Sequence, residues 1–159
     1  MEVLDFKRCV PVLLTNKTNP GVLYISNDTG KPISKIPAVL SNHGWIIVEY
    51  AIQDTNNELD LVQLKSVISN IQLVLVNSTT GYDAGYIVGI ASMLNKPVTV
   101  FMQNEATPLI NIACTSLLFS MEDLILFLDM YDDKSYMMSS HSRITAALAV
   151  VKQTNMGFK

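Results

Sequence analysis

Four short runs rich in β-branched residues, Val22–Ser26, Trp45–Glu49, Ile71–Val76 and Pro97–Met102, restrict this chain more than any other feature. Each is apolar almost without interruption instead of alternating, the pattern of a strand covered on both faces. Ser116–Phe119 is a candidate fifth. Helical spacing fills the stretches between them. Ser34 can cap a helix that tolerates Pro37 in its first turn, turns Ile36 and Leu40 inward and stops at Gly44. Leu61, Leu64, Val67 and Ile68 form one apolar stripe. The segment 84–94 is apolar almost all round, which predicts a deeply buried helix. Ser120 with Asp123 is a cap before Leu124, Phe127, Leu128 and Tyr131. Asp132–Ser140 reads as a polar connector, and Arg143–Lys152 as a last helix with Ile144, Ala147, Leu148 and Val151 on one side.

Alternation of strand and helix predicts an α/β fold: a doubly wound, mainly parallel sheet of four to five strands with helices on both faces and right-handed crossovers. Val10–Thr15 reads as an edge strand or hairpin arm, since Pro11 has no N–H for a ladder. A length of 159 residues fits one domain, 1–159, with its core over about 20–131.

Composition excludes several classes. Hydrophobic residues make up 49% and charged residues 16%, too apolar a chain for disorder. The net charge of −3 and the lack of a basic cluster argue against nucleic acid, whose binding draws on Lys and Arg. Glu2, Asp5, Lys7 and Arg8 precede any apolar run, unlike a signal peptide, and no run reaches the ~18 apolar residues of a membrane helix. The expectation is a soluble, cytoplasmic protein with no membrane partner. Cys9 and Cys114 are isolated, so two buried reduced thiols are expected over a disulfide. His43, ahead of Gly44 at a helix end, is explained by the helix dipole, and His141 lies in the Ser-rich start of the last helix. Neither has a companion at metal-ligand spacing, and no cofactor, metal or nucleophile–His–acid set is expected.

In open α/β sheets the ligand crevice lies beyond the carboxyl ends of the strands. Two loops there have suitable chemistry. One follows the first run and carries Ser26, Asn27 and Asp28 ahead of Gly30. The other leads from Asn77 through Thr79, Thr80 and Gly81 to Tyr82, Asp83 and Gly85. Hydroxyls, amides and glycines beside a helix start favour an anion such as phosphate; ordinary turn and cap roles are the plain alternative. Asp28 either bonds a sugar or shapes its turn. Tyr24 and Tyr82 are candidates for stacking on a base, with a core role the alternative for Tyr24.

The segment Gly85-Tyr-Ile-Val-Gly-Ile-Ala-Ser-Met-Leu-Asn-Lys-Pro-Val98 resembles the signature region of the nucleoside 2-deoxyribosyltransferase family, and its nucleotide N-hydrolase branch in particular. The strand Leu23-Tyr-Ile-Ser26 also resembles that family's opening strand. As a pattern of elements the likeness runs from Val22 to about Tyr131; at motif level it covers 81–98. It implies a deoxyribosyltransferase-like (flavodoxin-like) sheet, a nucleoside, nucleotide or ADP-ribose-like ligand, and a homo-oligomer in which a neighbour's carboxyl-terminal segment helps close the site. Tyr136, Met137 and Met138 suit such a contact, or core packing.

The departures bear on chemistry. Family members use a Glu two residues before the helix glycine as nucleophile, and that position, two before Gly89, is Ile87. An aliphatic side chain cannot attack, take a proton or stabilise an oxocarbenium ion. Ser69-Asn70 replaces an Ala-Asp pair, and Asn77 stands where an acid is frequent. The resemblance therefore points to a catalytically silent sensor, sequestering or inhibitory binder. Two alternatives stand beside it. One is an active N-glycosidase or deoxyribosyltransferase using a displaced acid, for which Asp83 is the candidate; the other is an interaction protein with a vestigial site.

Overall fold

The computed structural model describes residues 3–5, 9–15, 18–26, 35–51, 61–77, 82–101, 116–137 and 139–156. Within them six strands, β1 (Val3–Asp5), β2 (Gly21–Ser26), β3 (Ile46–Ala51), β4 (Leu73–Val76), β5 (Val98–Phe101) and β6 (Ser116–Leu118), make one sheet. Its order is β1-β3-β2-β4-β5-β6, and every pairing is parallel. The helices are α1 (Val10–Thr15), α2 (Lys35–Asn42), α3 (Leu61–Ser69), α4 (Tyr82–Met93), α5 (Met121–Asp133) and α6 (Ser140–Met156). This is the doubly wound α/β fold that the alternation predicts, with six strands where four to five were expected. The additional strand, β1, is three residues long and too short to leave a periodic signature.

Both faces of the sheet are covered because each strand sends alternate side chains to opposite sides. Leu23 and Ile25 of β2 join Val74 and Val76 of β4 in a layer with α1, α3 and α4. Val22 and Tyr24 join Leu73 and Leu75 in a second layer with α2, α5 and α6. The winding follows the same division. From β1 to β2, β3 to β4 and β4 to β5 the chain steps one way along the sheet, and the connecting helices share the first face. From β2 to β3 it steps back, and α2 lies on the second face. These four crossovers therefore have one common hand, as twisted strands require. Setting β1 aside, the order β3-β2-β4-β5-β6 is the flavodoxin-like arrangement, whose winding reverses between β2 and β4.

Two sequence expectations are corrected. Val10–Thr15 is helix α1, not an edge strand or hairpin arm. Proline is tolerated in a helix's first turn as readily as at a sheet edge, so Pro11 does not decide between them. The decision comes from burial: Leu13 drops into the core, and its N–H bonds Cys9 O at 3.0 Å. The helix α4 is one-sided rather than deeply buried. Gly85, Ile87, Val88 and Ala91 face the sheet, while Tyr86 is 52% and Met93 84% exposed. Apolar composition all round does not bury a helix that lies in an outer layer, with only one side against the sheet.

The Gly44 stop and the Ser120 cap are present, Ser34 lies outside the described residues, and the connector is shorter than Asp132–Ser140 because α5 runs to Asp133 and α6 begins at Ser140. Gly44 has φ 82° and closes α2 with Gly44 N–H to Ser41 O at 3.0 Å and Trp45 N–H to Leu40 O at 3.1 Å, a Schellman pair. The same pair closes α4: Asn95 N–H to Ser92 O at 3.1 Å and Lys96 N–H to Ala91 O at 2.9 Å, with Asn95 at φ 56°. Ser120 caps α5 by accepting the Asp123 N–H, and the Asp123 carboxylate accepts the Phe119 N–H at 2.9 Å. Among the described residues no helix is long and apolar enough to cross a membrane.

Candidate functional site

β2 and β4 are the strands that feed the two polar loops, and they lie side by side, running parallel. Ile25 pairs with Val76, and the Asn77 N–H extends the ladder one step by bonding Ile25 O at 2.8 Å. Ser26 and Asn77 thus leave neighbouring strands at one edge, where the winding reverses. Asn27, Asp28, Thr79, Thr80 and Gly81 lie outside the described residues. Tyr82 and Asp83 lie in the first turn of α4, and Gly85, further along it, is buried.

Beneath this edge sits a polar pair from distant parts of the chain. Asn77, 5% exposed, donates from Nδ2 to the Tyr24 hydroxyl at 2.7 Å. The Tyr24 ring is 1% exposed and packs in the second core layer. Its core alternative is therefore the one the structure adopts, and a ring so placed cannot stack on a base. What Tyr24 contributes at the edge is its hydroxyl, whose hydrogen bond orients the Asn77 amide under the loop roots. This bond satisfies the buried amide Nδ2 and phenol oxygen, which would otherwise cost about 1–3 kcal/mol each.

Ile87 is wholly buried in the first layer with Val74, Val76, Val88 and Ala91. Its side chain is part of the aliphatic seam between α4 and the sheet. Asn70 is not at this edge at all. It follows α3, before β4 begins, and its Nδ2 donates to Ser66 O at 2.7 Å. The amide there closes a helix end and lies away from Asn77.

The histidines separate. His43 does more than meet a helix dipole: Nδ1 lies 2.9 Å from Asp132 Oδ2 and Nε2 3.9 Å from Asp129 Oδ1, tying the end of α2 to α5. His141 is exposed in the first turn of α6. Among the described residues no group of three His, Cys, Asp or Glu side chains could hold a metal ion. Cys9 is buried; Cys114 and Met138 lie outside the described residues.

Sequence reasoning passed over the opposite, amino edge. There a cavity of about 360 Å³ is lined by Thr18, Asn19, Gln72 and Arg143 among others, and an adjoining one of about 300 Å³ by Lys96 and His141. No local signal marks it, because its walls come from segments far apart in the chain.

No protein-family model matches this sequence, and no curated protein or solved structure matches the chain.

Proposed function

We propose that this chain binds a nucleoside, nucleotide or ADP-ribose-like molecule at the carboxyl edge of β2 and β4, and that it does not cleave the glycosidic bond. The observation that carries this reading is the reversal of winding between β2 and β4, with Ser26 and Asn77 at its two strand ends. In doubly wound sheets a ligand crevice opens where the connections leave to opposite faces, and in sequence the hydroxyl- and amide-rich segments 27–34 and 78–81 follow these two strand ends. The start of α4 supplies backbone donors and a positive dipole end suited to phosphate.

The placement of Ile87 supports the second half of the proposal. In the deoxyribosyltransferase-like family that the sequence resembles, the corresponding residue reaches the sugar. Here the side chain is aliphatic and wholly buried in the seam between α4 and the sheet. Breaking an N-glycosidic bond needs charge stabilisation at the anomeric carbon and a proton for the base. Asn77 is neutral and offers neither a nucleophile nor an acid.

A calorimetric titration with AMP, dAMP and ADP-ribose, paired with a chromatographic assay for free base, tests the reading. The expected result is saturable binding of at least one ligand and no base release. Base release by the wild type that disappears in Asp83→Ala would instead establish the displaced-acid enzyme. No binding of any of the three would leave the edge as a vestigial crevice.

A further inference from the structure

We infer that the amino edge of the sheet holds a second ligand site, for a small phosphate-bearing anion, in the trough between Gln72, Lys96 and the start of α6. The two cavities there share Gln72 and Ser140, so they adjoin as the two halves of a trough across the amino ends of β2, β4 and β5. Its charge is one-sided. The chain carries 14 acidic residues against 11 basic ones, yet none of the described residues lining the trough is Asp or Glu. Lys96 and Arg143 both line it, and neither meets a carboxylate among the described residues.

Both cations are held in place. Arg143 donates from Nε (3.2 Å) and Nη2 (2.7 Å) to Tyr131 O, and its guanidinium carbon sits 3.8 Å from the Tyr131 ring centroid. With that edge of the fork engaged, its Nη1 hydrogens make no bond among the described residues. A guanidinium fixed in this way loses little freedom on meeting an oxyanion. Lys96 reaches Ser69 O at 3.4 Å, and partial burial pushes its ammonium below the usual lysine range. It has lost water without gaining an acid, a deficit that a bound anion corrects.

Neutral donors complete the trough. The Gln72 side-chain oxygen accepts the Gly21 N–H, which leaves its NH₂ end for another acceptor. Ser139 and Ser140 stand at the start of α6, where the first-turn N–H groups and the dipole reinforce the same preference. Cations and donors without acids select an anion. Each of the two adjoining cavities, about 360 and 300 Å³, lies at the small end of ligand sites, which suits a compact phosphate over an extended chain.

This site is independent of the carboxyl-edge reading, since the four residues of β4, about 13 Å of strand, lie between the two edges. The test is an amide-resolved NMR titration of the full chain at low salt, with inorganic phosphate and glycerol 3-phosphate as separate probes. We expect saturable shifts at Gln72, Lys96 and Ser140–Arg143, with a Kd of about 1 mM or tighter. Lys96→Gln should weaken binding by about fivefold or more. Ser140→Glu adds an acid to the trough at a helix start that welcomes one, so it should abolish binding while leaving Tm unchanged or higher. Equal affinity for the two probes identifies free phosphate as the ligand chemistry. Tighter binding of the ester by about tenfold identifies a phosphorylated metabolite. No saturable shift below about 10 mM of either probe overturns the site. So do shifts indifferent to Ser140→Glu, or shifts confined to Ser26 and Asn77. Phosphate shifts at Gln72 together with no nucleotide response at Asn77 would sink only the carboxyl-edge reading.

Discussion

On the face covered by α1, α3 and α4 the buried side chains are aliphatic, apart from Cys9, whereas the face covered by α2, α5 and α6 buries Tyr24, Trp45, Phe101, Phe127 and Tyr131. The aromatic face is also laced by specific contacts. Trp45 lies 5.0 Å from Tyr131 and 6.1 Å from Phe127, ring centre to ring centre, at tilted angles. His43 ties α2 to α5, and Arg143 and Asn155 tie α6 to α5 through Tyr131 O and Asp123 Oδ2. Aliphatic packing is forgiving of shape, while large rings and paired polar groups fit in few ways. The aliphatic face thus sets the layer, and the aromatic face fixes how α2, α5 and α6 sit upon it.

The sharpest attempt to break this contrast is Ile87→Glu. A carboxylate forced into the aliphatic seam has no partner there, so a loss above about 4 kcal/mol is expected, enough to unfold the chain in a urea titration. A folded, stable Ile87→Glu protein would show that α4 does not present this residue to the sheet. Next, Phe127→Ala should cost about 3–5 kcal/mol, because neighbouring rings cannot collapse into the gap. Its aliphatic counterpart Ile68→Val should cost only about 0.5–1.5 kcal/mol. Equal losses in denaturant midpoints would erase the distinction between the faces.

Helix ends offer a smaller comparison, one from each face. Gly44→Ala meets nothing within 4 Å of its new Cβ, so its cost of about 1 kcal/mol reflects the positive φ alone. Asn95→Gly, at the equivalent position of α4, should raise stability by about 0.5 kcal/mol or less, because asparagine already tolerates that conformation. Thermal denaturation of the two variants should therefore move in opposite directions. The smallest effect concerns pH. Lys96 has a folded-state pKa lowered from 10.5 by burial, so above that lowered value the unfolded chain holds more protons than the folded one. Stability should rise with pH between the lowered value and 10.5. That increment should be missing from Lys96→Gln, measured against wild type across the same range.

Much of the fold was legible because its signals are local. The β-branched runs at Val22, Ile46, Leu73 and Val98, the Gly44 stop and the Ser120 cap each depend on residues within a turn or two of one another. Val10–Thr15 was misread because six residues are too few to tell a period of 3.6 from one of 2. At the candidate site, the sequence marked Asn77 and Ser26 but not their adjacency. It also grouped Asn70 with Asn77, although β4 separates them.

By itself, then, the sequence determined most of the layers: which runs are strands buried on both sides, which stretches other than Val10–Thr15 are helices, and where α2 stops. Tertiary structure alone decided the strand order. That order placed β2 beside β4, joined Tyr24 to Asn77 across 53 positions of sequence, and gathered Gln72, Lys96 and Arg143 at the opposite edge. The physical reason lies in the two kinds of interaction. Periodicity and capping act over one or two turns of chain, whereas parallel pairing joins strands that are never adjacent in sequence and is chosen by the packing of the whole.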